Sequence, residues 1–405
     1  MFQNDRVESG THLAMISNLQ SLRAALWPVA LLLSPALSAE YVSADSSTPL
    51  QNNGNCSCYV VDSGDNSEAP SYFQYYRFYD FRNLADRAGQ YDKAPALVSD
   101  WDEAPNLDVG EANILNSDAW NKDWNIQTWS KNASDDFPVR MVNSPANVYL
   151  QQNNDSGNPF TYLTLRTTRG EDFQSAAEIE NLQKNVKHVS MRMSARVVGA
   201  KGAVAGFFTF YDDDNESDIE ILTDDPTDVI RYTNQPSVDK DGNEVAASSQ
   251  KKDKLPTWDE WQTHRIDWLD KNSYWYLNQK QVAANSYSVP RKPSYLVLNM
   301  WSDGGTWSGN MSEGGSAEFQ IQWIEMTFNT SGKVEGSTTP NPNDKRSAEL
   351  LGKRKEENCK VVCKIDDVKE LGTPEVVSSS SMAAHVSLSW IAVGVIGLTS
   401  LWVGL

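Results

Sequence analysis

The apolar and aromatic residues of the chain are grouped in short runs separated by turn residues. From residue 160 onward these runs are rich in β-branched and aromatic side chains, and no long amphipathic helix interrupts them. They predict strands near 160–169, 187–198, 203–211, 216–222, 228–233, 262–269, 272–278, 294–301 and 318–328. Many short strands with turns between them indicate an all-β fold, an antiparallel β-sandwich.

The flanking regions have a different pattern. Residues 40–70 are polar and contain two cysteines, residues 82–158 are irregular and contain Trp101, Trp120, Trp124 and Trp129, and a linker rich in Ser, Thr, Pro and Asn follows Thr330. The patterns predict the sandwich at 71–330, preceded by a cysteine-bearing N-terminal segment at 40–70. A linker and a second cysteine-bearing segment follow at 331–377.

The N-terminal end resembles a targeting segment. Arg23 precedes a short apolar stretch at 26–33, and small residues around Ala39 follow it. This is the pattern of a secretory signal peptide, so we expect residues 1–39 to be removed, with Met15 as the better initiator. The competing interpretation is a buried N-terminal helix.

The C-terminal end has small residues at 378–381, a short spacer and an apolar tail from Val386 to Leu405. This order predicts a GPI-attachment signal at 378–405, because a retained transmembrane helix normally carries basic residues on its cytoplasmic side. Together the two ends predict a secreted monomer on the cell surface or in the cell wall, anchored to the plasma membrane through GPI.

The formal net charge of −19 argues against nucleic acid or an anionic membrane surface as a partner. A neutral polymer needs no steering charge. The chain contains 14 tryptophans, whose flat faces can pack in a core or stack on sugar rings.

Four cysteines lie near the two ends of the predicted mature chain, and in a secreted protein they suggest disulfides with three possible pairings. We expect bridges that join Cys56 and Cys58 to Cys359 and Cys363, because short strand-like runs beside the two pairs can pair with each other. A local Cys359–Cys363 bridge is the alternative. Six Asn-x-Ser/Thr acceptors agree with secretion; they are Asn55, Asn132, Asn154, Asn215, Asn310 and Asn329.

The segment with candidate chemistry is the predicted strand at 216–222. Alternate residues of a strand face the same side, so Glu216, Asp218 and Glu220 share one face although their charges repel each other. Two carboxyls about 5–5.5 Å apart are what a retaining glycosidase uses. The Cα atoms of Glu216 and Glu220 would be about 13 Å apart in an ideal strand, so the strand must line a concave face.

Glu-x-Asp-x-Glu on a strand resembles the signature of glycoside hydrolase family 16, whose jelly-roll fold belongs to the concanavalin A-like group. The resemblance extends to the order of the neighbouring segments. Gly202–Phe208 precedes the strand, and it is followed by Tyr232–Asn234, His264–Trp268, Tyr274–Val282 with a tight turn at Asn278-Gln279, Leu296–Trp301 and Gly304–Gly309. It implies Glu216 as nucleophile, Asp218 as assisting residue and Glu220 as general acid/base.

The resemblance also implies a cleft bordered by Trp301 and Trp307, which are expected to stack on sugar rings, with Asn234 as a candidate partner for a sugar hydroxyl. No metal and no cofactor are expected.

Two features depart from the commonest family pattern. Ser217 occupies a position that is usually apolar, and no extra residue separates Asp218 from Glu220. The unbulged form is more similar to lichenases, xyloglucan transglycosylases and chitin–glucan crosslinking enzymes.

These features predict a retaining glycoside hydrolase that cleaves a β-glucan-type polysaccharide by double displacement. A cell-wall transglycosylase differs only in the acceptor and stays open as an alternative. A lectin-like binding module without turnover is the second class, against which the complete set of three carboxyls counts. A structural wall protein is the third, against which the tryptophan-bearing segments count.

Overall fold

The computed structural model of the 405-residue chain describes residues 43–45, 56–64, 70–87, 89–153, 159–335, 359 and 361–377. The predicted signal peptide at 1–39 and the predicted GPI-attachment signal at 378–405 lie outside the described residues. Across the described ranges, no helix is both long and apolar enough to cross a membrane.

Strands dominate the described residues. They are β1 (Ser43–Asp45), β2 (Cys58–Val61), β3 (Ser71–Phe73), β4 (Tyr75–Asp80), β5 (Trp124–Ile126), β6 (Ser130–Lys131), β7 (Arg140–Asn143), β8 (Val148–Gln152), β9 (Thr161–Arg169), β10 (Phe173–Asn181), β11 (Val186–Gly199), β12 (Val204–Asp212), β13 (Asn215–Leu222), β14 (Ile230–Asn234), β15 (Ser249–Lys252), β16 (Gln262–Trp268), β17 (Ser273–Leu277), β18 (Lys280–Asn285), β19 (Tyr295–Trp301), β20 (Ser316–Thr330), β21 (Val362–Lys364) and β22 (Glu375–Val376). The helical elements are α1 (Ala112–Leu115) and single 3₁₀ turns at Ala104–Asn106, Trp120–Lys122 and Pro145–Asn147.

Two antiparallel sheets, called the front sheet and the back sheet, form the sandwich. The front sheet runs β5–β10–β19–β12–β13–β14–β15. The back sheet runs β18–β17–β16–β11–β20. Strands β9 and β8 lie beside the first half of β20, and β4 and β1 lie beside its second half. The predicted all-β antiparallel sandwich is therefore confirmed.

The main hydrophobic core lies between the two sheets. From the front sheet it takes Ile219 and Ile221 of β13, and from the back sheet it takes Trp268 and Trp275. Both tryptophans are completely buried, as expected for core residues. Because β13 gives its alternate apolar side chains to this core, its remaining side chains must face the other surface of the front sheet.

Each of the nine predicted strands overlaps an observed one, but β10 was not predicted. The sequence of Phe173–Asn181 is rich in small and charged residues, which have low strand propensity. This segment forms a strand because it pairs with neighbouring strands. Residues 173–176 pair with β7 and β9 at the back, and residues 177–181 pair with β19 and β5 at the front. The prediction that 82–158 is irregular was also incomplete, since β5 to β8 lie within it.

A tight turn joins β17 to β18, as the sequence predicted at Asn278-Gln279. Both residues have positive φ, 49° and 66°, and the two strands pair on either side of them. Two consecutive positive φ values are typical of the two-residue hairpin turns that fit the twist of a sheet.

The cysteine-bearing segments form a separate small sheet, ordered β22–β21–β2–β3. Two disulfides, Cys56–Cys363 and Cys58–Cys359, join the two cysteine pairs across this sheet. Strands β2 and β21 pair in parallel beside the bridges. The expectation of bridges between the two pairs, with pairing strand-like runs beside them, is thus confirmed, and the local Cys359–Cys363 alternative is not observed.

Candidate active site

The three acidic side chains of β13 lie on the surface of the front sheet that faces away from the core. Ile219 and Ile221 point into the core, so Glu216, Asp218 and Glu220 share the opposite face. The register between β12 and β13 is unbroken from Val204↔Leu222 to Phe210↔Glu216, so no bulge separates the three carboxyls. The alternation expected from the sequence is therefore present.

Ser217 takes the core-facing position where the resemblance led us to expect an apolar residue. Its hydroxyl donates a hydrogen bond to Oγ of Ser273 on β17, at 3.3 Å, and both residues are buried. A buried hydroxyl needs such a partner, because an unpaired polar group in a core is costly. The two serines thus satisfy each other between the two sheets.

Glu220 belongs to a row of residues that crosses the front sheet in direct register. From β10 to β15 the row is Glu178, Asn299, Gly206, Glu220, Arg231 and Lys251. Neighbouring strands lie about 4.8 Å apart, so this row spans roughly 24 Å. An extended polymer lying across the strands would contact the residues of the row one after another.

Gly206 lies in this row between Glu220 and Asn299, and its lack of a side chain lets Asn299 and Phe208 pack against the backbone of β12. A Cβ atom at Gly206 would lie 2.5 Å from Oδ1 of Asn299 and 3.1 Å from the ring of Phe208. Such distances are not tolerated, so a side chain here would displace Asn299 or Phe208.

Asp218 is the most enclosed of the three carboxyls, with 1% of its surface exposed. Its Oδ2 accepts a hydrogen bond from Nε2 of Gln235 at 3.1 Å. Burial, followed by the charges of Glu216 and Glu220, raises the pKa of Asp218 well above its usual value. A carboxyl with a raised pKa keeps its proton to higher pH, and a protonated Asp218 can act as a hydrogen-bond donor.

Glu216 is the carboxyl to which a protonated Asp218 can donate. Burial raises the pKa of Glu216 to about 8, hydrogen bonding from Asp218 opposes the rise, and the charge of Glu220 adds to it. When Asp218 is protonated and Glu216 is ionised, the contact between them is satisfied. This arrangement allows a carboxylate to exist in an enclosed, acidic site.

Glu220 has a different set of partners. Nε1 of Trp307 donates a hydrogen bond to Oε1 of Glu220 at 3.0 Å, and the guanidinium of Arg231 lies 4.7 Å from the centre of the Trp307 ring. Burial raises the pKa of Glu220 to about 7, while the Trp307 hydrogen bond and the charge of Arg231 lower it. A carboxyl with a pKa near neutrality can both give and take a proton.

A cavity of about 180 Å³ lies beside the β10 end of the row. Its lining residues are Trp129, Lys131, Met141, Asn143, Glu178, Asn299, Trp301 and Asp303. Trp301, predicted to stack on sugar, is thus in the wall of a cavity on the same face as the three carboxyls. Trp129 is 44% exposed and could also offer its ring to a ligand.

Glu178 organises this cavity, and no pattern in the sequence pointed to it. Its Oε1 accepts a hydrogen bond from Nε1 of Trp129 at 2.8 Å, and its Oε2 accepts one from Nδ2 of Asn299 at 3.2 Å. Burial raises the pKa of Glu178, and the two hydrogen bonds oppose the rise. Oδ1 of Asn299 is buried and has no hydrogen-bond partner among the described residues, so it is free to accept one from a ligand.

Asn234 is not brought to this face. It lies opposite Ser217 in the register of β14, is completely buried, and donates a hydrogen bond from Nδ2 to the carbonyl oxygen of Tyr287 at 2.9 Å. Its contact with a sugar hydroxyl stays a prediction that this position does not favour. Gln235, the next residue, is the one that reaches the carboxyls, which follows from the alternation of strand side chains.

The three carboxyls of the site lie within a segment that matches a known protein family. Residues 139–325 match the family model described as glycosyl hydrolases family 16. The chain contains a glycosyl hydrolase family 16 domain. The matched residues of this domain include the three carboxyls together with Trp301 and Trp307, whereas Trp129 lies before the match.

Among solved structures, similar ones include a β-1,3-1,4-glucanase (lichenase) from a mouse hindgut metagenome, with 16% identity over 51% of this chain and 93% of that chain and a TM-score of 0.40. A Bacillus licheniformis β-glucanase has 18% identity, 51% and 92% coverage and a TM-score of 0.40. A laminarinase catalytic domain from Thermotoga maritima has 14% identity, 52% and 93% coverage and a TM-score of 0.38. No curated protein matches the chain significantly.

Proposed function

We propose that the protein is a retaining glycoside hydrolase that cleaves a β-glucan-type polysaccharide. The observation that carries the proposal is the different treatment of three carboxyls on one face of β13. The pKa of Asp218 is raised, so that it can carry a proton and donate to Glu216, whereas Glu220 is held by Trp307 and has a pKa of about 7. A retaining glycosidase needs one carboxylate and one carboxylic acid on the same site, and Glu216 and Glu220 have different hydrogen-bond partners.

In the proposed reaction, Glu216 attacks the anomeric carbon while Glu220 gives its proton to the leaving glycosidic oxygen. The bond from the anomeric carbon to that oxygen breaks, and an ester between the sugar and Glu216 forms. Glu220, now ionised, takes a proton from water, and the water oxygen displaces Glu216 from the sugar. Asp218 donates to Glu216 and so holds its carboxylate in position, and Gln235 in turn holds Asp218.

Transglycosylation is the second candidate function, and the unbulged register between Glu216 and Glu220 favours it, because the resemblance connects that register with cell-wall transferases. The two reactions share every step up to the sugar ester on Glu216. They differ in whether water or a glycan hydroxyl is deprotonated by Glu220. A lectin-like module would bind the same polymers without turnover.

We also propose that the protein acts outside the cell as a monomer held at the membrane by a GPI anchor. The two disulfides support an oxidising compartment, where such bridges form and persist. The expected result is that phosphatidylinositol-specific phospholipase C releases the protein from intact cells. Retention after that treatment, with release only by detergent, would contradict the anchor.

The activity is tested by incubating the secreted protein with laminarin, lichenan, xyloglucan and chitin, each with and without a labelled oligosaccharide acceptor. We expect new reducing ends from at least one polymer, and none from Glu216→Gln. Glu260→Gln is the matched control, since it makes the same chemical change at an exposed residue outside the site. Label in long products without new reducing ends would assign a transferase.

Two outcomes would overturn the enzyme proposal. The first is equal inactivity of wild type and Glu216→Gln on every polymer while binding is retained, which would indicate a lectin-like module. The second is full activity of Glu216→Gln. The anomeric configuration of the first product, followed by NMR, tests retention separately: a β product is expected, and an α product would contradict double displacement.

A further inference from the structure

Trp307 was predicted to stack on a sugar ring, but in the structure it contacts Glu220 and Arg231. Its indole N–H points at Oε1 of Glu220, at 3.0 Å. The face of its ring is covered by the guanidinium of Arg231, 4.7 Å from the ring centre. A ring held between a carboxylate and a cation has both its polar edge and one face occupied.

Arg231 is itself held in place from the far side. Its Nε and Nη2 donate hydrogen bonds to the two oxygens of Asp225, at 2.9 and 3.3 Å, and Nζ of Lys251 donates to Oδ1 of Asp225 at 2.8 Å. A two-point contact between a guanidinium and a carboxylate fixes the plane of the guanidinium. Asp225 therefore fixes Arg231, Arg231 supports Trp307, and Trp307 orients Glu220.

The hydrogen bond matters because a carboxyl has two oxygens and only one can carry the catalytic proton. An oxygen that accepts an N–H hydrogen bond is the poorer site for a proton, since the proton would compete with the N–H for the same lone pairs. With Oε1 of Glu220 occupied by Trp307, the proton is placed on Oε2.

We propose that Trp307 and Arg231 are positioning residues that hold Oε1 of Glu220 and direct Oε2, with its proton, toward the glycosidic oxygen. This inference rests on the proposed function, because it assigns how the general acid of that reaction is oriented. Neither residue transfers a proton itself. Both act through Glu220, so their effect depends on how much acid assistance the leaving group needs.

Other charged groups face Glu220 as well, and the test must separate them from this pair. On the same strand they are Glu216 and Asp218. On one side, β14 and β15 carry Arg231 and Lys251, which both bind Asp225. On the other side, beyond β12 and β19, β10 carries Glu178. Substituting Trp307 or Arg231 leaves the acidic groups in place. A loss that differs between substrates with poor and good leaving groups in these variants therefore reports the positioning pair.

The experiment compares two substrates, a β-glucan oligosaccharide and the same oligosaccharide with a dinitrophenyl leaving group, which departs without protonation. The measured quantity is kcat/KM, because it covers the steps up to formation of the sugar ester. For Trp307→Phe, which keeps an aromatic ring and deletes the N–H, we expect a loss of about tenfold to hundredfold on the natural substrate. On the dinitrophenyl substrate we expect a change within about threefold, because acid assistance is not needed.

Trp129→Phe is the matched control, since it deletes an indole N–H that donates to a different carboxyl, Glu178. If Trp129 only helps to bind sugar, kcat/KM falls by the same factor on both substrates. A Trp307→Phe variant that behaves in this way, or one that loses nothing on the natural substrate, would overturn the inference. Thermal unfolding of each variant separates loss of folding from loss of positioning.

Arg231→Gln gives an independent readout that does not need Trp307 to be changed. Its charge lowers the pKa of Glu220, so removing it extends activity to higher pH, and the alkaline limb of kcat/KM moves up by about one pH unit. Arg231→Lys, which keeps the charge, should restore the limb. Equal losses of kcat/KM on the two substrates in Arg231→Gln would overturn the inference alone, whereas a wild type inactive on both substrates would overturn the proposed function with it.

Discussion

Asp218→Asn makes a small change to a buried group with a measurable consequence for stability. In the wild type, Oδ2 of Asp218 accepts a hydrogen bond from Gln235, and a proton on the other oxygen can be shared with Glu216. An asparagine has the same shape, and its Oδ1 can accept from Gln235 while its Nδ2 donates to Glu216. The variant therefore keeps both contacts but has no proton to lose.

The size of the effect follows from proton linkage. Burial, with the charges of Glu216 and Glu220, raises the pKa of Asp218 in the folded protein well above its unfolded value of about 3.9. The stability from this carboxyl is fully present below the unfolded pKa and is lost as the pH rises toward the folded pKa. Each retained proton costs about 1.4 kcal/mol per pH unit, or about 2.7 kcal/mol between about pH 5 and about pH 7.

We therefore expect the free energy of unfolding of Asp218→Asn, relative to wild type, to increase by up to about 2.7 kcal/mol between those two pH values. Urea unfolding followed by tryptophan fluorescence measures it. A constant difference between variant and wild type at both pH values would refute the reasoning, because it would mean that Asp218 is ionised in the folded protein.

Asp225→Asn is the control, because the pKa of Asp225 is shifted in the opposite direction. Burial raises it, but hydrogen bonds from Arg231 and Lys251 outweigh burial and the net shift is downward. Its stability is present above the unfolded pKa and is lost only as the pH falls toward the folded pKa. Its substitution should therefore destabilise the protein equally at about pH 5 and about pH 7.

Three further substitutions test other parts of the structure. Gly206→Ala places a Cβ 2.5 Å from Oδ1 of Asn299, so we expect a loss of about 1–3 kcal/mol in urea unfolding and a lower kcat/KM; wild-type values would contradict the packing beside Glu220. Cys58→Ser opens the Cys58–Cys359 bridge, which closes a loop over a sequence separation of 301, and should cost about 2–5 kcal/mol, whereas an unchanged unfolding midpoint would contradict that pairing. Trp124→Ala empties a completely enclosed position in the core and should cost about 3–5 kcal/mol by the same measurement; a cost below about 1 kcal/mol would contradict its burial.

The sequence was sufficient where the signal is local. Alternation along Glu216–Glu220 decided which side chains share a face, because the period of a strand leaves no other arrangement. The cysteine pairs and the turn at Asn278-Gln279 were equally readable, since each lies within or beside short runs whose pairing needs only a few residues.

Residues whose role comes from a distant partner were missed. Glu178 lies on β10, a strand formed by its neighbours rather than by its own composition, and its partner Trp129 comes from a region without a clear period. Trp307 was recognised as part of the cleft, but its hydrogen bond to Glu220 joins two positions far apart in the chain. Asn234 and Gln235 show how much a single position matters, because a shift of one residue moves a side chain from the core to the carboxyls.

The most direct test of the central assignment is to trap the sugar on its nucleophile. A β-glucosyl oligosaccharide with fluorine at the carbon next to the anomeric centre and an activated leaving group forms the ester quickly and releases it slowly. After proteolysis, mass spectrometry should find the added sugar on the peptide that contains Glu216, and none in Glu216→Gln. Label on Glu220 or Glu178 instead, or turnover of the natural polymer by Glu216→Gln, would contradict the account.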